Sequence, residues 1–136
     1  MPTLFKSYAV RISRILDEFD WDPVAQLAEY LFDIWDERRQ VFLCGNGGSA
    51  GNAIHLANDF LYGIASQIDR PGMRIEALAA NSAVLTCLAN DIGYEEVFSE
   101  QLRAKGQAGD LLIALSGSGN SENIVRALKT AKDRGV

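Results

Sequence analysis

His55 and Asp59 stand four residues apart in a stretch of helical periodicity, and His55 is the only histidine in the chain. At that spacing an imidazole and a carboxylate project from one side of a helix. They can then address one metal ion or one substrate, or they can form an ordinary solvated face. Asn52 and Tyr62 continue the same polar stripe. Just upstream, the apolar run Val41–Cys44 breaks into Gly45-Asn46-Gly47-Gly48-Ser49. A buried strand that passes through glycines into a helix is how α/β folds build an anion site. The glycines let backbone approach a ligand, and the first helical N–H groups have no partner inside the helix. Ser49 is expected to cap that helix and to add a hydroxyl. The loop is neither G-x-G-x-x-G nor a loop ending in Gly-Lys-Ser/Thr, so it matches neither common nucleotide loop. A plain strand-to-helix turn is the alternative.

A second loop carries chemistry more openly. The apolar run Leu111–Leu115 ends in Ser116-Gly117-Ser118-Gly119-Asn120-Ser121, and a helical pattern follows. Hydroxyls at a helix N-terminus can donate to phosphate oxygens while the helix dipole favours negative charge. Neither loop has a lysine or arginine, so an anion would be held mainly by hydrogen bonds. A flexible serine-glycine turn is the alternative, but such linkers do not usually join a fully apolar strand to a good helix. Ligands of open α/β sheets bind outside the carboxyl ends of the strands, so the two loops converge if their strands are neighbours.

The elements that must hold these loops are legible from periodicity. Phe5, Tyr8, Ile12, Ile15, Leu16 and Phe19 recur at helical spacing over 3–19. Asp22-Pro23 reads as an N-cap followed by proline at the first helical position, before a second apolar face from Val24 to Trp35. Strands are expected at 41–44, 74–78 and 111–115, with the first in the middle. A helix from Ser49 presents Ala50, Ala53, Ile54, Ala57, Phe60 and Leu61 inward. Residues 63–72 read as a loop, 83–89 as a helix interrupted at Asn90-Asp91-Ile92-Gly93, and 94–105 as a helix with Val97, Phe98 and Leu102 inward. A last helix, with Ile124, Val125, Leu128 and Ala131 on one side, stops at Gly135. Two helices followed by strand-helix three times over predict an α/β fold with a parallel sheet. It is a single domain over 1–136, with helices over 1–39 and three strand-helix units over 41–136.

Composition narrows the functions. The 136 residues suffice for one real core. A net charge of −5 with no Lys/Arg run argues against binding nucleic acid. Cys44 and Cys87 lie in apolar contexts and read as buried free thiols of a reducing compartment. No basic-apolar leader and no membrane-length apolar run is present. A cytoplasmic protein with no membrane partner is the expectation. The second broad apolar face among the N-terminal helices points to a partner subunit, unless both helices wrap their own sheet.

Taken together, Gly45-Asn46-Gly47-Gly48-Ser49, His55, Asn90-Asp91-x-Gly93 and Ser116-x-Ser118-Gly119-Asn120-Ser121 resemble the SIS (sugar isomerase) domain. Within it they look most like the sedoheptulose 7-phosphate isomerases, or phosphoheptose isomerases. The resemblance runs from the N-terminal helices to Val136. It implies a doubly wound, flavodoxin-like three-layer parallel sheet, homotetramers with active sites between subunits, and an aldose–ketose isomerisation of a phosphosugar. That reaction would serve heptose, lipopolysaccharide or other surface-sugar synthesis, often with zinc. By position, Ser116, Ser118 and Ser121 with Gly117 would bind the sugar phosphate. Asn46, Gly47, Gly48, Ser49, Asn90 and Asp91 would contact substrate. His55 matches a zinc ligand, and Asp59 falls where the isomerases have a glutamate that is both zinc ligand and catalytic base.

Three departures from that pattern matter. Asp59 is one methylene shorter than glutamate. Gly117 replaces a frequent threonine. Val136 comes where a fourth strand should begin, so the resemblance implies a chain truncated before its C-terminal strands, which would carry a further glutamine and histidine. With half a metal site, the chain as given is expected to be inactive in isomerisation. The competing reading is a non-catalytic SIS module that binds phosphosugars or a protein, as relatives that bind a replication initiator do.

Overall fold

A computed structural model describes residues 2–136; Met1 lies outside the described residues. The chain divides into two compact units, one ending at Phe32 and the other spanning Asp33–Val136.

The first unit holds helix α1 (Pro2–Glu18) and the start of α2 (Asp22–Asp36). The indole of Trp21 closes α1, donating from Nε1 to the Leu16 carbonyl at 3.1 Å. Its ring meets Phe19 edge to face with centroids 5.0 Å apart. Asp22 is not the cap that the sequence predicts. It is already helical, and the first turn closes from Ala25 N–H to the Trp21 carbonyl at 3.0 Å. Pro23 fits there equally well, because no first-turn N–H has a helical acceptor in any case. The expected apolar stripe exists, but Phe5, Tyr8, Ile15 and Phe19 are exposed.

The second unit is built on a sheet of three parallel strands, ordered β2 (Arg74–Ala77), β1 (Gln40–Gly45), β3 (Leu111–Leu115). The first strand is central, as expected. Val41 pairs with Ile75 on one side and Leu111 on the other. A central parallel strand is covered on both faces, which is why Val41, Phe42, Leu43 and Cys44 are all apolar and all buried. Phe42 and Cys44 join Leu78, Val97, Phe98, Leu102 and Ile124 in the main core. By the two-residue alternation of a strand, Val41 and Leu43 face the other way, where α3 (Gly48–Asn58) packs on β1. Gln101, 3% exposed, donates to the carbonyls of Leu78 and Val97 and ties the end of β2 to α5 (Ser99–Lys105).

Several local expectations need correction. The segment after α3 is not plain loop. A π-helical turn covers Asp59–Gly63 and a 3₁₀ turn covers Ala65–Gln67. Of α3's expected inward face, Ala53 is buried while Ile54 and Leu61 are exposed. Helix α4 (Ser82–Asp91) runs through Asn90 and Asp91 instead of breaking there. Tyr94–Glu96 forms a separate 3₁₀ turn before α5. Cys87 is exposed, because α4 turns Leu85, Leu88 and Ala89 toward the core and leaves position 87 on the opposite side. In α6 (Glu122–Arg134), Val125 and Leu128 are exposed. The buried positions are Asn123, Ile124, Ala127, Thr130 and Ala131, a stripe at helical spacing in which two polar residues take part.

Candidate functional site

Both loops lie at the carboxyl end of neighbouring strands, since β1 and β3 pair in parallel from Val41↔Leu111 to Gly45↔Leu115. Each loop runs directly into a helix: Asn46-Gly47 into α3, and residues 116–121 into α6. The turn at the first loop depends on Gly47, whose φ of 53° and ψ of −120° suit glycine. Nothing lies within 4 Å of where a Cβ of Gly47 or Gly48 would sit, so this loop faces open space. Ser49 is not the N-cap. Gly47 holds that place without a side-chain bond, and Ser49, in the first turn, donates its N–H to the Asn46 carbonyl at 3.0 Å. With glycines on both sides of the helix start, the backbone reaches helical geometry before the serine.

In the second loop the hydroxyls shape their own backbone. Ser116 Oγ accepts from Gly119 N–H at 3.0 Å, and Ser118 Oγ from Asn120 N–H at 3.3 Å. As acceptors there, both hydroxyls keep their hydrogens to donate. Ser121 holds the N-cap place of α6 without a side-chain cap bond, and its carbonyl accepts from Ile124 and Val125. Nothing lies within 4 Å of a Cβ built at Gly117.

The two loops are joined through Asn46. Its Nδ2 donates to Asn123 Oδ1 at 2.9 Å, and Asn123 Nδ2 donates back to Asn46 Oδ1 at 2.8 Å. Tyr94 Oη donates to the same Oδ1 at 2.9 Å. Both lone pairs of that oxygen are thus used, and one hydrogen of Nδ2 is left for a ligand. Asn46, Tyr94, Ser121 and Asn123 line a cleft of about 390 Å³ together with Glu95, Glu122 and Arg126. A larger depression of about 610 Å³ between α5 and α6 is lined by charged side chains and by no strand-end loop. The smaller cleft is the candidate site.

Sequence reasoning missed Tyr94, Asn123 and Arg126. Asn123 sits two residues past Ser121, on the first turn of the helix that the serines open, and its place there was the available signal. Arg126 also lines the cleft, with its charge committed to two carboxylates. It donates to Glu122 at 2.8 Å and pairs with Glu96. The Ser99 hydroxyl, then Arg126, hold the Glu96 carboxyl down at about 2. The two carboxylates raise the pKa of Arg126 in turn, Glu122 first.

The other predicted residues lie elsewhere in the contact pattern. His55 is in the last turn of α3, and Asp59 opens the π turn. His55 Nε2 is 3.3 Å from Asp59 Oδ2, with side chains 76% and 43% exposed. An imidazole nitrogen and a carboxylate oxygen are donors zinc accepts, but catalytic zinc normally takes three protein ligands. Among the described residues no group of three His, Cys, Asp or Glu side chains could hold a metal. The pair therefore fits as part of a zinc site only. Asn90 Nδ2 donates to Asp91 Oδ1 at 2.8 Å, and the Cys87 thiol to Asp91 Oδ2 at 3.5 Å. These bonds join neighbours on α4 rather than either loop. Among the described residues no helix is long and apolar enough to cross a membrane.

Comparison with known proteins bears on the family and the fold. Residues 5–136 match the SIS domain family. A phosphoheptose isomerase from Chlorobaculum parvum is 40% identical over 129 residues, which are 95% of this chain and 62% of that protein. One from Aneurinibacillus thermoaerophilus is 41% identical over 130 residues, 96% of this chain and 65% of the relative. The chain thus spans less than two thirds of the length of these relatives. Among solved structures, phosphoheptose isomerase GmhA from Neisseria gonorrhoeae superposes with a TM-score of 0.84 at 33% identity, covering 98% of this chain and 68% of that one. A phosphoheptose isomerase from Francisella tularensis gives 0.86 at 28%, covering 98% and 69%.

Proposed function

Since the chain belongs to the SIS domain family, we propose that it binds a phosphorylated sugar and belongs to an aldose–ketose isomerase acting on sedoheptulose 7-phosphate. The observation that carries this reading is the pairing of β1 with β3, which sets a glycine loop and a serine loop side by side at one sheet end. Ser116, Ser118 and Ser121 hold the phosphate by donated hydrogen bonds at the N-terminus of α6. Asn46, with Gly47, Gly48 and Ser49, contacts the sugar, as do Asn90 and Asp91.

Isomerisation moves a carbonyl from C2 to C1. A base takes a proton from C1, the electron pair forms the C1–C2 double bond, and the C2 oxygen gains negative charge. The C2 oxygen then gains a proton and the C1 hydroxyl loses one. As the C1 oxygen re-forms a carbonyl, the electron pair of the double bond takes a proton at C2, which gives the aldose. Asp59 is the carboxylate assigned to the proton at C1, and His55 beside it orients that carboxylate. Zinc, held by His55 and Asp59 with further ligands, would supply Lewis-acid stabilisation of an oxyanion when bound. The exposed apolar positions of α1 support homo-oligomer formation, with a tetramer as the specific expectation. A cytoplasmic site of action and a role in surface-sugar synthesis accompany this reading.

The second reading is a non-catalytic SIS module. The aspartate at 59 and the partial metal site favour it. Calorimetric titration of the chain with sedoheptulose 7-phosphate, beside a turnover assay, tests both. Binding of the phosphosugar but not of unphosphorylated sedoheptulose is expected. Turnover that His55→Ala and Asp59→Ala abolish supports the isomerase. Binding without turnover, the outcome expected of a partial metal site, keeps the phosphosugar site and removes catalysis from this chain. No binding rejects both readings.

A further inference from the structure

We propose that Asn123 and Tyr94 are positioning residues that clamp the loop after β1 to the start of α6, so that the two ligand-facing loops form one rigid site. This rests on the reading of the cleft as the phosphosugar site. Asn46 and Asn123 are 77 residues apart in sequence, yet they share a reciprocal amide pair at 2.9 and 2.8 Å. Asn123 is 2% exposed, and the Tyr94 hydroxyl adds a third bond at 2.9 Å. A side-chain amide with several fixed partners has one orientation, whereas a solvated one samples many.

The clamp acts on the site in two ways. It fixes what Asn46 presents. With Oδ1 twice occupied and one Nδ2 hydrogen committed, Asn46 offers a ligand one N–H donor and no acceptor. It also fixes where the loops stand. The Asn46 carbonyl accepts the N–H groups of Ser49 and Ala50, so holding Asn46 holds the first turn of α3. Asn123 lies in the first turn of α6, so the same bonds tie the loop after β1 to the helix that follows the serine loop, while the serine loop keeps its own internal bonds at Ser116 and Ser118. A phosphosugar spans both loops, while inorganic phosphate needs only the serines.

The test uses the 136-residue chain and its Asn123→Ala and Tyr94→Phe variants. Amide hydrogen exchange at Ser49 and Ala50 should accelerate by about tenfold or more in Asn123→Ala, with Phe42 and Leu43 in β1 unchanged. Tyr94→Phe, at an exposed residue, keeps the fold and should show a smaller change of the same sign. Affinity for sedoheptulose 7-phosphate should fall about tenfold in Asn123→Ala, while affinity for inorganic phosphate stays within about twofold. Unchanged exchange at Ser49 and Ala50 in both variants overturns the clamp. Equal loss of both ligands together with faster exchange in β1 also overturns it, because Asn123 would then serve the fold alone. If the unsubstituted chain binds neither ligand, the phosphosugar reading fails, and the exchange measurement still decides the clamp.

Discussion

A methyl group on Gly45 would lie 2.8 Å from the backbone carbonyl carbon of Ser49. The last residue of β1 is therefore pressed against the first turn of α3, and no side chain fits between them. That contact sets the direction in which the chain leaves the sheet, and with it the position of Asn46. Gly45→Ala should lower stability by about 1–3 kcal/mol, as overpacking of a tight contact does. Urea denaturation measures it. An unchanged midpoint would mean that the loop yields and that the strand–helix contact is not tight.

The same region shows what sequence could and could not convey. The run Val41–Cys44 announces a buried strand because central strands need apolar residues on both faces. The two loops announce themselves by glycine and serine after such strands. The parallel pairing of β1 with β3 then follows from their need to meet. The join between them does not follow, because Asn46, Tyr94 and Asn123 meet only through tertiary structure and carry no periodic signal. Orientation within a helix was the other blind spot. Cys87 sits among apolar neighbours, and Val125 and Leu128 look inward by type, yet all are exposed. On α6 two polar residues, Asn123 and Thr130, take core-facing positions instead. Apolar composition gives the number of faces but not which residues occupy them.

Removing the serine hydroxyls should weaken phosphosugar binding. Ser116 Oγ also accepts from Gly119 N–H at 3.0 Å, so Ser116→Ala loses a loop bond as well as a ligand donor. Ser118→Ala loses the weaker internal contact at 3.3 Å. Each should cost on the order of 1.5–3 kcal/mol of affinity for the phosphorylated ligand, with Ser116→Ala the larger. Calorimetry with sedoheptulose 7-phosphate reads both. Equal affinities in variant and parent would remove the serine loop from the site.

The two thiols should differ in reactivity for different reasons. Burial pushes the Cys44 thiol up to about 12, so it should resist alkylation in the folded chain. Cys87 is exposed, but its hydrogen bond to Asp91 and that carboxylate's charge raise its pKa. Less thiolate is then present at neutral pH, and the thiolate is the reactive form. Asp91→Asn should therefore speed iodoacetamide labelling of Cys87 at pH 7.5 and leave Cys44 unlabelled. A slower or equal rate would show that the Asp91 contact does not govern this thiol.

The Glu96 cluster predicts an acid limb of stability. The carboxyl is held at about 2, against an ordinary 4.5, by Ser99 first and then Arg126. A folded value below the unfolded one contributes stability that is fully present above the unfolded value. It is lost as pH falls from about 4.5 toward 2. Glu96→Gln should be less stable than the parent at pH 7, and the gap should close across that window. Denaturation midpoints at pH 7, 4 and 2.5 give the comparison; a gap independent of pH would assign the loss to packing instead.

The imidazole–carboxylate pair should matter to function far more than to folding. His55 Nε2 and Asp59 Oδ2 are 3.3 Å apart but largely open to solvent, and exposed pairs typically contribute about 0.2–1 kcal/mol. Asp59→Asn should therefore leave the urea midpoint nearly unchanged. A zinc ligand behaves differently, because its removal takes away a coordination bond rather than a screened attraction. Loss of an outer-shell partner already lowers metal affinity by about 10–100-fold, so His55→Ala and Asp59→Asn should each lower zinc affinity by at least that much. Asp59→Glu supplies a longer carboxylate and should retain binding. Asp59 opens the π turn at Asp59–Gly63, where the N–H of Ile64 reaches back to the Asp59 carbonyl at 2.9 Å. That bond involves only backbone, so Asp59→Glu leaves the turn in place and the three variants differ in their side chains alone. Zinc titration by calorimetry, with the circular-dichroism spectrum recorded for each variant, separates the cases. Identical zinc affinity in parent, His55→Ala and Asp59→Asn would remove these two residues from any metal site.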